Sequence, residues 1–123
     1  MTQQLTNLTI AFEDIEKKET LKIDFETAIT EAIDEVFTTL GEKVKIAIYS
    51  CLENRHGIRK NQISGVINGF ADAIELIFGD AAKLIELQII EKLHSKVKDF
   101  NYKSSGKEML FSEYLTALQS YLN

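Results

Sequence analysis

Proline and tryptophan are absent from this 123-residue chain, and cysteine occurs once. Without proline, no ring clash or missing N–H forces a helix to break. Six glycines and scattered Ser, Thr and Asn must therefore supply the punctuation. A single cysteine excludes an intrachain disulfide and suits a reducing compartment. No apolar run approaches the roughly 18 residues that a membrane span requires. The first basic residue is Lys17, so the charged start of a secretory signal is missing. No low-complexity tract and no fixed-period repeat occurs. The expectation is a soluble, cytoplasmic, single-domain protein over residues 1–123 with no membrane partner.

What is present points to helix. Hydrophobic residues make up 45% of the chain and charged residues 27%, enough apolar matter for one core. At this size about two-thirds of the open chain's surface is buried on folding. From Asp24 onward the apolar residues recur with helical spacing, about 100° per residue. Phe25, Ala28, Ile29, Ala32, Ile33, Val36, Phe37 and Leu40 share one face, with Asp24 as N-cap and Gly41 as the stop. A second helix is predicted from Glu42 to His56, stopped by Gly57. Its main stripe is Val44, Ala47, Ile48, Cys51 and Leu52, and Ile46 and Tyr49 lie away from it. A third is predicted from Ile63 to Phe78. A fourth runs from Asp80 as N-cap to about Asp99, with Leu84 and Leu87 off its main face. A C-terminal helix follows over 105–122, opened by a capping box of Ser105 and Glu108. Residues 1–23 form a variable N-terminal segment that fits either a short helix or a β-hairpin. The fold class is all-α: a compact bundle of four to five amphipathic helices, with the second and fourth most central because apolar residues occupy two of their sides.

One block carries a more specific likeness. It spans about 32–100 and contains Ile33-Asp34-Glu35, Leu40-Gly41-Glu42, Val44-Lys45 and Ala47-Ile48-Tyr49. It continues with Leu52-Glu53, Gly57-Ile58, Ile63, Ile77-Phe78-Gly79 and Ala82-Lys83-Leu84-Ile85-Glu86. This resembles the small helical output domain of archaeal signalling proteins, the nitrosopumilus output domain. The resemblance implies an all-helical module, usually joined to sensory or regulatory segments, and carries over no catalytic residues. The expectation from this length is that the chain leaves no room for a separate sensor domain.

The chemistry-bearing residues are sparse. A zinc or other soft-metal site needs converging Cys and His ligands. The chain has Cys51 alone and two histidines, His56 and His94, 38 positions apart. Cys51 reads as a small buried hydrophobe. Its five-position offset from His56 puts the two on different helix faces, against a nucleophilic pair. Ser104-Ser105-Gly106-Lys107 resembles the tail of a phosphate-binding loop. However, Asn101 stands where the first glycine belongs and Glu108 where Ser or Thr must follow the lysine. Glu31, Asp34 and Glu35 form an acidic cluster that reads as the solvated face of the first helix. Gly65, Gly69 and Ala73 make a small-residue row that would allow close helix approach. No cofactor, no metal and no enzymatic activity is expected.

Two sets of residues remain as candidate sites. Arg55, His56, Arg59 and Lys60 surround Gly57, the densest basic cluster in the chain, and could hold an anion or an acidic partner. The same residues would complement a helix C-terminus. Reversing Arg59 and Lys60 to glutamate is then expected to move stability by no more than about 0.5 kcal/mol. A helix-turn-helix reading of helices two and three is disfavoured, because no Lys or Arg lies between Ser64 and Gly79. The second set is Ile46, Tyr49, Leu84 and Leu87, large side chains turned away from the main stripes and expected to mediate self-association, most simply as a homodimer. The functional expectation is a non-enzymatic helical interaction or signal-output module that binds itself or a protein partner. The alternative is a nucleic-acid-associated regulator using the basic loop at Arg55–Lys60.

Overall fold

A computed structural model describes residues 23–102 and 110–123. It contains α1 (Phe25–Thr39), α2 (Glu42–His56), α3 (Ile67–Phe78), α4 (Ala82–Lys96) and α5 (Phe111–Leu122). Short 3-10 turns occupy Lys60–Gly65 and Gly79–Ala81. Helix accounts for 83% of the described chain, and no strand occurs among the described residues, so the fold is all-α. The expected helix or hairpin within residues 1–23 lies, but for Ile23, outside the described residues, as does the capping box of Ser105 and Glu108. The first residue of α5 is Phe111, with Leu110 at its N-cap.

The hub is α1. Its start follows from Asp24, whose carboxylate accepts a hydrogen bond from the Thr27 N–H at 2.7 Å. That bond satisfies one of the otherwise unpaired donors of the first turn. Phe25, Ala28, Ile29, Ala32, Ile33, Val36 and Phe37 are all buried. Removing an Ile or Phe side chain fully from water contributes about 1.5–3 kcal/mol, so this stripe places α1 at the centre. α4 packs most extensively against it through Ala82, Ile85, Ile89 and Leu93, and α2 and the first 3-10 turn cover its other sides.

The expected centrality of the second helix is corrected. α2 buries only Ile48 and Leu52, and Val44 and Ala47 face solvent. Its apolar residues are spread around the helix, so no single stripe is concentrated enough to displace α1 from the middle. Its inward face is turned toward Tyr49, whose ring meets Phe37 edge-on at 5.3 Å between centroids. Cys51, expected to be buried, is half-buried. Both ends of α2 fall where the glycines place them. Gly57 takes the left-handed conformation (φ +67°, ψ +25°), and its N–H returns to the Glu53 carbonyl at 3.1 Å.

The third helix begins later than its periodicity suggests. Residues Lys60–Gly65 form a 3-10 turn held by Gln62, whose side-chain oxygen accepts from the Arg59 N–H at 3.0 Å. Ile63, at its centre, is fully buried. The chain then breaks at Val66 (φ −137°, ψ +52°), so Ile63 and the α3 residues Phe70, Ala73 and Ile74 reach the core from two directions. Gly65 adjoins the break and resists continuous helix through its backbone entropy.

Asp80 is likewise corrected as an N-cap. Gly79 adopts φ +59° and ψ −127°, a conformation open in practice only to glycine, and turns the chain into a 3-10 turn that contains Asp80. The position before α4 is Ala81, and α4 ends at Lys96 rather than near Asp99. Beyond it, Val97 and Phe100 fold back into the core. The Phe100 ring meets Tyr114 and Tyr121 at 5.7 and 5.1 Å, seating α5. α5 also packs on α3, with Phe70 and Phe111 6.3 Å apart, and Gln119 donates to the Ser64 carbonyl at 3.2 Å.

Among the described residues, one charged side chain is buried. Glu86 of α4 lies at 9% exposure. Burial raises its carboxyl pKa above the ordinary value, and the nearby Glu75 raises it further, while Lys83 works the other way. An acid whose folded pKa is raised loses stability as pH rises through its ordinary value near 4.5. Glu86→Gln is therefore expected to raise stability at pH 7 by about 0.5–1 kcal/mol. The gain should vanish below pH 4.5, where both states hold the proton. Thermal melts of the two proteins at pH 7 and pH 4 check this, and a destabilised variant at pH 7 would refute it.

Candidate functional site

The acidic turn of α1 is engaged, where a solvated face was expected. Asp34 Oδ1 accepts from the Tyr49 hydroxyl at 3.1 Å and from Lys60 Nζ at 2.9 Å. Its Oδ2 stands 3.6 Å from Lys45 Nζ. The Lys60 ammonium also lies 5.1 Å from the centre of the Tyr49 ring, within cation–π range. On the same helix, Glu35 and Glu31 take Lys96 Nζ at 2.9 and 3.4 Å. Three lysines from α2, the 3-10 turn and α4 thus converge on one helix. Lys45 and Lys96 are largely covered, each burying its aliphatic stem beneath the ammonium.

The titration behaviour follows from these contacts. The hydrogen bond from Lys60 is the main cause holding the Asp34 carboxyl below the ordinary 3.8, helped by Tyr49 and opposed by partial burial. Burial, then the Asp34 charge, pushes the Tyr49 hydroxyl far above its ordinary range. Lys96 is raised above 10.5, first by its bond to Glu35. None of these groups is poised near neutral pH as a general acid or base would be. The cluster is an electrostatic latch that joins elements.

The basic cluster does not survive as a unit. Lys60 turns inward to Asp34, and Arg59 Nε lies 3.8 Å from Glu53 Oε2 with both side chains mostly exposed. His56 is half-buried and Arg55 is exposed. Next to this loop is a groove of about 560 Å³, lined among others by Glu26, Glu31, Glu53, Arg59 and Lys60. Three carboxylates against two cations make it a poor cradle for phosphate. Among the described residues, no group of three or more His, Cys, Asp or Glu side chains is placed to hold a metal ion.

The apolar candidates separate as well. Ile46, Leu84 and Leu87 are exposed at 60%, 58% and 46%. Tyr49 is withdrawn from this set, because its ring packs on Phe37 and its hydroxyl is bound to Asp34. α2 and α4 each pack on α1 and do not form a packed pair, so Ile46 belongs to a different surface from Leu84 and Leu87. Leu76 of α3, exposed at 76%, is a further apolar side chain at the surface. Its signal in the sequence was its place beside Asp72 and Glu75 on the polar side of α3. No described helix is long and apolar enough to cross a membrane.

The fold and these surfaces define a small all-α bundle with a charged internal latch and exposed leucines. Compared with known proteins, the chain matches no family model, no curated protein and no solved structure.

Proposed function

We propose that the chain is a non-enzymatic helical interaction module, of the signal-output kind its sequence resembles, which acts by pairing with a second copy of itself. The observation that carries this reading is the exposure of Leu84 and Leu87, one turn apart on α4, facing away from the core. Large aliphatic side chains grouped at the surface mark partner sites more often than isolated ones do. Asp34, Tyr49 and Lys96, whose pKa values are displaced, are bound within the latch and are not poised near neutral pH. A reducing, cytoplasmic setting fits a lone half-buried thiol.

Sedimentation equilibrium over a wide concentration range tests the reading. The expected result is a concentration-dependent rise from 14.0 kDa towards twice that mass. A species that stays at 14.0 kDa at the highest concentration overturns it. Filter binding with a salt titration supplies the competing outcome. Tight, salt-sensitive retention of nucleic acid that is lost on changing Arg55 and Arg59 would replace self-association with nucleic-acid binding.

A further inference from the structure

Resting on that self-association, we infer that two copies meet through the outer face of α4, antiparallel, about a two-fold axis beside Leu87. At 100° per residue, Leu87 lies almost opposite the buried row of Ala82, Ile85, Ile89 and Leu93. It is the centre of the helix's outer face. Leu84 stands beside it, and Lys83 and Glu91 lie four residues before and after it, about 6 Å along the axis in each direction. In an antiparallel pair centred on Leu87, positions equidistant from it meet across the axis. Lys83 then faces the partner's Glu91, twice per dimer, on either side of Leu87 packed against the partner's Leu87. A parallel pair would set lysine on lysine and glutamate on glutamate. Charge therefore selects the antiparallel arrangement.

Neither Leu76 nor Ile46 has this complementarity. Leu76 has Asp72 four residues before it and no cation four residues after it, since α3 ends at Phe78, so self-pairing there offers no charge match. Ile46 has Glu42 and Ser50 at those positions and supplies one large side chain alone. The chain carries a net charge of −5, but α4, with three lysines and two glutamates, is close to neutral, so little repulsion opposes its pairing with a copy. Two leucines per protomer form a small seam, so the dimer is weak and its population depends on concentration.

The test is sedimentation equilibrium of the wild type, Leu87→Asp, Lys83→Glu, Glu91→Lys and the double swap, with circular dichroism melts confirming that each is folded. Leu87→Asp should raise the dissociation constant roughly thirtyfold, as loss of a central anchor does. Each charge reversal should raise it about threefold to tenfold. The double swap should return to the wild-type value, and an equimolar mixture of the two single variants should dimerise as the wild type does. If the wild type is monomeric, the self-association reading itself falls. If the wild type dimerises and Leu87→Asp and Glu91→Lys leave its affinity unchanged while folded, that reading stands and the α4 interface is refuted.

Discussion

Phe37→Ala is expected to lower the free energy of unfolding by about 3–5 kcal/mol, the usual cost of emptying a fully buried phenylalanine site. The ring is 0% exposed and sits where three elements converge. It meets Tyr49 of α2 at 5.3 Å and Phe78 of α3 at 6.3 Å from its own place on the hub helix. Truncation removes the apolar surface that seats α2, and α2 has little else, with only Ile48 and Leu52 buried. A domain of this size has a total stability of roughly 5–15 kcal/mol, so the variant should lose a large fraction of it. Urea titration followed by circular dichroism measures the change. Phe37→Leu, which keeps most of the volume, should lose less than half as much. A loss below about 1 kcal/mol for the alanine variant would mean that the site collapses and that the hub assignment is wrong.

The residues that made the fold legible are those whose local chemistry allows one answer. Asp24 before an unbroken apolar stripe can only open α1, and a left-handed Gly57 can only close α2. The face of α2 was less legible, because its apolar residues surround the axis. Which of them turn inward depends on Asp34 and Phe37, residues of another helix, and periodicity within one helix does not register them. Asp80 shows the same limit from another side. An aspartate before a helical run reads as a cap, but the backbone of Gly79 spends the position in a 3-10 turn. Lys45, Lys60 and Lys96 stand in sequence among unrelated neighbours, and the distance from Lys96 to Glu31 is 65 positions. A polar face looks solvated in a single-helix projection until the elements that reach it are known. The exposed leucines were legible for the opposite reason. Leu84 and Leu87 lie off the buried stripe of their helix, and among the described residues no second helix covers them.

Asp34→Ala should cost about 2 kcal/mol, since one carboxylate serves Tyr49, Lys60 and Lys45 together, with the charged hydrogen bonds reduced by solvent screening. Removing it leaves a half-buried tyrosine hydroxyl without its acceptor and three elements without their common point. The expectation that Arg59 and Lys60 can be reversed at little cost then divides between the two residues. Among the described residues the Arg59 side chain pairs with the exposed Glu53 alone, so Arg59→Glu should stay within about 0.5 kcal/mol. Lys60→Glu sets a second carboxylate against Asp34 and should cost more than removing the lysine, as Lys60→Met would show. The pH dependence has a definite sign. The folded Asp34 pKa is lowered, so its contribution is fully present above the ordinary 3.8 and is lost as pH falls below it through the folded value. The gap between wild type and Asp34→Ala should therefore be constant from pH 7 to about pH 5 and close in stronger acid. A double-mutant cycle with Lys60→Met isolates the pair, and its coupling should shrink in high salt. A gap that widens in acid, or a cycle with no coupling at pH 7, would show that the latch does not hold the bundle together.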